Sequence, residues 1–228
     1  MMVIKSKRAR DILRYVIPCV LIPLLVYLGA AGFSAKRHLI ISFGVAVLSV
    51  TLFFAGFEQK KTGSRRLVLV SVLTALCIAG RFIPLFKPIT ALTIIAGIYL
   101  GCEAGFLVGA LAAVLSNFYF GQGPWTAFQM LGWGMIGFIA GLLGAPLKKH
   151  KALLLLYGVI SGAVYSFVMD IWTVMWYDGG FNWQLYAASI VAALPHTILY
   201  CISNFAFLWF AAKPFGEKLE RVRIKYGV

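Results

Sequence analysis

Aromatic and amide side chains crowd a short glycine-rich turn between two apolar runs, within residues 116–144 of the chain. Side chains of these types hold small molecules by ring stacking and hydrogen bonding. None of those singled out here is a nucleophile, a charged acid or a metal ligand. The turn therefore predicts a binding site, formed by Phe118, Tyr119, Phe120, Gln122, Trp125, Gln129 and Trp133. Asn117 borders this turn and either hydrogen-bonds a neighbouring helix or contacts the ligand.

Polar side chains also recur at helical spacing inside two later apolar runs. The first run carries a stripe that falls on one helix face, made of Ser166, Asp170, Thr173 and Tyr177. The second run carries Ser189, His196 and Ser203, and Pro195 allows its helix to bend. Asp170 lies about two turns, or roughly 10 Å, inside its helix, where an ionisable residue usually faces a wet cavity. Asp170 and His196 therefore either line a ligand cavity or pair with each other to lock two helices together.

The composition is that of a membrane protein. Hydrophobic residues make up 61% of the 228 residues, charged residues 12%, and the mean hydropathy is +0.90. Continuous apolar runs of spanning length predict an all-α polytopic membrane protein. The net charge of +14 lies in short clusters between the runs, so we expect no nucleic-acid partner. The four cysteines have no paired spacing, and we expect core positions for them, with no metal site and no cofactor.

The apolar runs divide into two N-terminal transmembrane helices, at 12–33 and 38–57, and a six-helix unit. A polar linker at 58–66 separates the two groups, and we place a domain boundary there, giving domains 1–62 and 63–228. The six later helices are predicted at 67–83, 89–100, 104–120, 127–146, 152–177 and 184–212, followed by a basic tail.

The positive charges predict the topology. Lys and Arg concentrate in the N-terminal segment, the linker, residues 148–151 and the C-terminal tail, which predicts that both termini are cytoplasmic. The turns at 82–88, 120–126 and 177–184 are then extracytoplasmic. The exceptions to the charge rule, on the outer side, are Lys36, Arg37, Arg81 and Lys87.

Small residues recur at the spacing of packed membrane helices in three places. Two glycine rows are expected to pack inside the protein, since small residues let helices approach closely: Gly97, Gly101, Gly105 and Gly109, and Gly134, Gly137, Gly141 and Gly144. A third row, Ser71, Ala75 and Ala79, either packs internally or docks a helix of a partner protein.

These features together resemble one protein family. The six-helix count, the AxxxA sequence of Ala75 and Ala79, and the run EAGFLVGALAAVLSNFYFGQGPWTAFQM at 103–130 resemble the substrate-binding S component of energy-coupling factor (ECF) transporters, which import vitamins in prokaryotes. The two N-terminal helices fall outside the usual pattern. The resemblance implies a multi-pass protein of the prokaryotic cell membrane that captures a vitamin outside and joins a coupling subunit and two ATPase subunits. Because the chain has no P-loop sequence, ATP hydrolysis is expected in those partners, and we do not expect an enzyme.

The resemblance also implies roles for individual residues. Ala75 and Ala79 would contact the coupling subunit, and Asp170 and His196 would form the floor of the substrate cavity. Ligand stacking would come from Phe120, Trp125, Trp172 or Trp176, and hydrogen bonds from Gln122, Gln129, Asp178 and Asn182, with Asn117 beside them. The likeness is strongest to components assigned to cobalamin or a related cofactor, and riboflavin and thiamin precursors are alternatives.

Two other functions stay open from the residues alone. An intramembrane hydrolase would use Asp170 and His196, but the chain has no Gly-x-Ser-x-Gly nucleophile sequence. A membrane assembly protein would bind no ligand at all.

Overall fold

The structure, a computed structural model, describes residues 7–30, 37–55, 63–84 and 87–226. These residues are helical almost throughout and include no strand. The helices are α1 Lys7–Val16, α2 Ile22–Ala30, α3 Arg37–Ala55, α4 Gly63–Gly80, α5 Ile89–Leu100, α6 Cys102–Phe120, α7 Trp125–Leu142, α8 Gly144–Lys149, α9 Lys151–Asp178 and α10 Trp183–Tyr226.

Several of these helices are long and apolar enough to cross a membrane. Within the described residues, five stretches meet that criterion: Arg8–Ala30, Cys102–Phe120, Trp125–Leu142, Lys151–Asp178 and Trp183–Val222. Two shorter apolar helices, Leu39–Phe54 and Ile89–Leu100, accompany them. The chain is therefore an all-α multi-pass membrane protein, as the composition predicted.

The first apolar run contains a π-helical turn, Ile17–Leu21, between α1 and α2. Pro18 and Pro23 have no amide hydrogen and interrupt the regular hydrogen-bond ladder. The Ile22 amide instead donates to the Ile17 carbonyl, five residues back, as in a π-bulge.

The N-terminal helices are packed onto the six-helix unit. Helix α3 contacts α6 and α7, and α2 contacts α7. The predicted linker is shorter than expected, since α4 already begins at Gly63. Residues 56–62 lie outside the described residues, so the domain boundary at residue 62 stays a prediction.

Two predicted helix ends were wrong. The helix predicted at 127–146 ends at Leu142, and α8 follows as a separate short helix. The last helix does not stop at residue 212 but continues through Pro214 to Tyr226, so the basic tail is helical. A single proline removes one backbone hydrogen bond, and a helix can bend and continue past it.

The two glycine rows pack against each other, which confirms their predicted internal role. A Cβ atom on Gly105 or on Gly137 would collide with the backbone carbonyl oxygen of the other glycine. A Cβ on Gly109 would lie 2.6 Å from the carbonyl carbon of Trp133. Gly101 differs, because its φ of 96° lets the chain turn sharply from α5 into α6.

A buried carboxylate ties α1 to the six-helix unit at the end of the bundle that holds α8, which we call the basic end. Glu103 is only 2% exposed, and its Oε1 accepts a hydrogen bond from Arg14 Nε at 2.5 Å. Arg66 Nη2 lies 3.6 Å from the other carboxylate oxygen and donates to the Leu100 carbonyl at 2.6 Å. The N-terminal helices and the six-helix unit therefore share one ion cluster.

We expect Glu103→Ala to lower the free energy of unfolding by about 3 kcal/mol, because it removes the buried carboxylate that Arg14 and the largely enclosed Arg66 share. Thermal unfolding of the purified protein in detergent measures this. The matched control is Glu220→Ala, which breaks the half-exposed pair with Lys148 at 3.4 Å and should cost less than about 1 kcal/mol. Equal losses of unfolding free energy in the two variants would show that the Glu103 cluster stabilises the protein no more than a surface ion pair does.

Candidate functional site

The end of the bundle opposite the basic end, which we call the aromatic end, holds the turns after α4, α6 and α9. These turns do not lie at one level. The Ser203 hydroxyl donates to the Lys87 carbonyl at 3.3 Å. Ser203 lies roughly 30 Å along α10 from Trp183, at the rise of an α-helix. Helices α9 and α10 therefore extend well beyond the α4–α5 turn and form a wall on one side of it.

Arg81, the first residue after α4, lies at the centre of a buried polar network. Its side chain is 9% exposed, and its Nη1 donates to the Ser116 hydroxyl and to Asn117 Oδ1, the latter at 2.7 Å. The Asn117 amide nitrogen in turn donates to Thr126 Oγ1 at 2.9 Å and to Gln129 Oε1 at 2.8 Å. One chain of hydrogen bonds thus joins the ends of α4, α6 and α7, and it brings Asn117 and Gln129 together.

Aromatic rings surround the guanidinium of Arg81. Its Cζ lies 4.8 Å from the centroid of the Phe120 ring and 5.3 Å from that of Trp133, both in cation–π range. Trp133 stacks on Tyr165 with centroids 4.5 Å apart and an interplanar angle of 12°. Tyr165 meets Tyr200 edge-on at 5.5 Å. These four rings belong to α6, α7, α9 and α10, so side chains from four helices lie around the Arg81 guanidinium.

Lys87 adds a second positive charge beside the same phenyl ring, with Nζ 5.9 Å from the Phe120 centroid. Of the seven Asp and Glu residues in the chain, six are described, and none of those six forms an ion pair with Arg81 or Lys87. The seventh, Glu58, precedes α4, whereas Arg81 follows it. In the described part of the chain, the two cations therefore have no carboxylate counter-charge.

Gln122 holds the turn between α6 and α7 in shape. Its Nε2 donates to the Val114 carbonyl at 2.8 Å, and its Oε1 accepts from the Thr126 hydroxyl at 3.0 Å. Both polar atoms of this side chain are already engaged within the protein. The structure thus gives Gln122 a structural role, and its predicted hydrogen bond to a ligand stays a prediction. Phe118 and Tyr119, on the same turn, are exposed on the surface.

Three tryptophans form a ladder between α7 and α9. The ring centroids of Trp125 and Trp172 are 5.6 Å apart, and those of Trp172 and Trp176 are 6.3 Å apart. Beside this ladder, Trp172 Nε1 and Asp170 Oδ2 are buried and have no hydrogen-bond partner among the described residues. One is a donor and the other an acceptor, and buried polar atoms usually find a partner in protein, water or ligand. Each of these two atoms is therefore able to bind a polar group of a ligand.

The alternative in which Asp170 and His196 pair with each other has no support among the described contacts. His196 is exposed, and no contact joins it to Asp170 within the described residues. The neighbouring Thr197 faces α9 instead, with its hydroxyl 2.6 Å from that of Ser166. The side of α10 that packs on α9 is set by Thr197, Cys201, Asn204 and Leu208, which turns His196 away. No described contact brings His196 to Asp170, so the hydrolase hypothesis loses its acid–base pair, and the cavity-floor role of His196 stays a prediction.

Asp178 and Asn182 lie at the turn between α9 and α10, far along the wall from the Arg81 network. Asn182 Oδ1 accepts from the amides of Gln184 and Leu185 at 3.0 and 3.1 Å, which makes it the N-cap of α10. Asp178 is exposed. The structure thus gives Asn182 a local structural role, and no described hydrogen bond joins either residue to the Arg81 network.

Arg81 and Lys87 were not predicted as site residues. In the sequence, both residues lie on the predicted outer side, where the charge rule expects few positive residues, and this exception could have identified them. Tyr165 and Tyr200 were missed as well, because an isolated tyrosine in an apolar run carries no spacing signal. The described residues contain no group of three or more His, Cys, Asp and Glu side chains that could hold a metal ion. The arrangement offers hydrogen bonds, charge and ring surfaces, which are means of binding.

A comparison with models of protein families matches residues 65–216 to one described as "ECF transporter, substrate-specific component". The matched range begins at the start of α4 and ends within α10, so it covers the six-helix unit and not the two N-terminal helices. No curated protein and no solved structure matches the chain significantly.

Proposed function

Because the chain belongs to the substrate-specific components of ECF transporters, we propose that it captures a vitamin or related cofactor at the aromatic end and delivers it with a coupling subunit and two ATPase subunits. It is a transport subunit and not an enzyme. The main support for the proposed site is the buried Arg81 network. The described hydrogen bonds of the Arg81 guanidinium involve only its Nη1 atom. The rest of that group is left to bind a ligand.

The charge of the site favours a ligand with an anionic group. Arg81 and Lys87 lie beside one ring without a described carboxylate, and two like charges repel strongly where the dielectric is low. A bound anion would offset this repulsion. A carboxylate or phosphate also accepts two parallel hydrogen bonds from a guanidinium. The proposed ligand therefore carries a carboxylate or phosphate beside Arg81.

The α9 side of the wall formed by α9 and α10 can contact the rest of such a molecule. The tryptophan ladder offers ring faces, Asp170 Oδ2 would accept a hydrogen bond from the ligand, and Trp172 Nε1 would donate one. A molecule with an acidic group at one end and a flat surface with polar groups at the other meets these features. Cobalamin, which the sequence resemblance favours, carries a phosphodiester and several carboxamides and is the first ligand to test.

Binding to the purified chain alone tests this function. The panel contains cobalamin and three matched pairs that differ in their acidic group: riboflavin 5′-phosphate and riboflavin, thiamin monophosphate and thiamin, biotin and biotinamide. We expect at least one compound to bind with a Kd below about 1 µM, measured by calorimetry or tryptophan fluorescence, and any pair that binds to favour its acidic member. Failure of every compound to bind would contradict capture itself. Tighter binding of the neutral members would contradict only the anionic group.

Helix α4 offers a surface for the coupling subunit. Ser71, Ala75 and Ala79 are exposed along one side of this helix, and Val72 beside them is 51% exposed. A surface of small side chains lets a second membrane helix approach closely. This exposure supports the docking alternative for the third small-residue row over internal packing, and we place the contact with the coupling subunit here.

Replacing both alanines with a larger residue should separate docking from binding. We expect Ala75→Leu/Ala79→Leu to reduce co-purification with the coupling and ATPase subunits at least about tenfold, because the side chains keep the helices apart. Vitamin binding by the isolated chain should be unchanged. The matched control is Ala188→Leu/Ala192→Leu, which adds the same bulk at the same spacing to exposed positions of α10. Intact assembly in the α4 variant, or an equal loss in the control, would place the contact elsewhere.

A further inference from the structure

A cavity of about 290 Å³ lies at the basic end, between α5, α8, α9 and α10. It is separate from the proposed capture site, since none of the residues proposed to bind the substrate lines it. It is also separate from the proposed docking surface, because no residue of α4 lines it. Nothing in the capture or the docking of a substrate explains this cavity.

The interior of the cavity is apolar. Its lining includes Ile95, Leu147 and Leu208, each at most 1% exposed, together with Ile98 and Leu154. None of these side chains can form a hydrogen bond. The surface they provide suits hydrocarbon.

The mouth of the cavity is positively charged. Lys148, Lys151 and Lys213 line it, against one lining carboxylate, Glu217. Lys148 Nζ lies 4.3 Å from the centroid of Tyr99. Lys148 also pairs with Glu220 at 3.4 Å, but both side chains are partly exposed, and such a pair is weak and easily exchanged.

Aromatic rings hold the lysines at the rim. Lys151 Nζ lies 3.7 Å from the centroid of Trp209, which stacks on Phe205 at 5.8 Å. Tryptophan at this position is typical of the boundary between lipid headgroups and hydrocarbon. The mouth therefore lies at headgroup level, and the apolar interior lies below it.

We propose that this cavity binds an anionic phospholipid, with the phosphate held by the three lysines and part of one acyl chain in the apolar interior. Positive pockets between membrane helices recognise acidic headgroups, which are concentrated on the cytoplasmic leaflet. The combination of features selects this occupant. A free phosphate would make no use of the apolar interior, and an apolar helix of a partner would make no use of the lysines.

Native mass spectrometry of the full chain, delipidated in a neutral detergent, tests the proposal. The probes are phosphatidylglycerol and phosphatidylcholine with identical acyl chains, and inorganic phosphate. We expect phosphatidylglycerol to be retained at least about tenfold more than phosphatidylcholine, since each lysine near an anionic headgroup strengthens binding severalfold. Equal retention of the two lipids would overturn the proposal. Displacement of phosphatidylglycerol by millimolar inorganic phosphate would overturn it in favour of a simple phosphate site.

Two sets of variants locate the binding. Lys148→Gln/Lys151→Gln/Lys213→Gln should abolish the preference for phosphatidylglycerol. The control triple variant, Lys149→Gln/Lys218→Gln/Lys225→Gln, removes the same charge from the same end of the protein but from residues that do not line the cavity. It should keep most of the preference, and an equal loss would mean that overall surface charge, not the cavity, attracts the lipid. Ala212→Phe, which fills the cavity without changing charge, should also weaken retention, and normal retention would contradict the acyl-chain position.

Discussion

Arg81→Gln should weaken ligand binding by at least about thirtyfold, because truncating one member of a buried, hydrogen-bonded charge pair typically costs 2–5 kcal/mol or more. Arg81→Lys should not restore it, since lysine is a point charge that cannot form two parallel hydrogen bonds to one acid group. Calorimetric titration of the purified chain with the acidic ligand that binds the wild type measures both variants.

Two further variants serve as controls for an effect of Arg81→Gln on folding. Lys87→Gln keeps every described hydrogen bond of Arg81 and Asn117 and should weaken the same ligand about fivefold through the loss of one nearby charge. Arg221→Gln removes the same type of charge from the far end of α10 and should have no effect. If Arg81→Gln remains monodisperse and binds as tightly as the wild type, Arg81 is structural and the anionic group is placed wrongly.

Gly137→Leu should cause the largest loss of stability of any single change considered, about 4 kcal/mol or more. A side chain at this position meets the backbone of Gly105 on the facing helix, and backbone cannot move aside as a flexible side chain can. Helices α6 and α7 would have to separate along their length. We expect little folded protein after extraction, measured by size-exclusion chromatography and by thermal unfolding of what remains.

Gly180→Ala is the matched control for that prediction. No heavy atom lies within 4 Å of a Cβ built at Gly180, so the added methyl group meets open space. The midpoint of thermal unfolding should stay within about 2 °C of the wild type, in keeping with a surface change. A well-folded Gly137→Leu variant would show that the contact between α6 and α7 is looser than the glycine rows indicate.

The glycine rows show how far sequence reasoning reaches in a membrane protein. Their spacing predicted close helix contacts, and Gly105 and Gly137 form such a contact. Spacing could not identify the facing row, because any small-residue face can pack on any other. Glycine, proline and charge mark where a helix can end but not whether it does: α7 ends at Leu142, before Gly144, whereas α10 continues past Lys213 and Pro214.

Some residues of the candidate site could be identified from the sequence, and others could not. Asn117 and Gln129 were identified from a turn rich in amides and aromatics, and they do lie together. His196 was misplaced because spacing shows which residues share a helix face but not which neighbouring helix that face meets, and the adjacent face, with Thr197, makes the contact with α9. Arg81 was overlooked because a positive charge beside a membrane helix is common, and only the absence of a described counter-charge makes it notable.

The most direct test of the central claim is mass spectrometry of the small molecule that co-purifies with the full chain. We expect one molecule of vitamin or cofactor size per chain, carrying a carboxylate or phosphate, in the wild type, and much less of it in Arg81→Gln. An empty wild-type chain that also binds no member of the vitamin panel would contradict the claim that this protein captures a substrate.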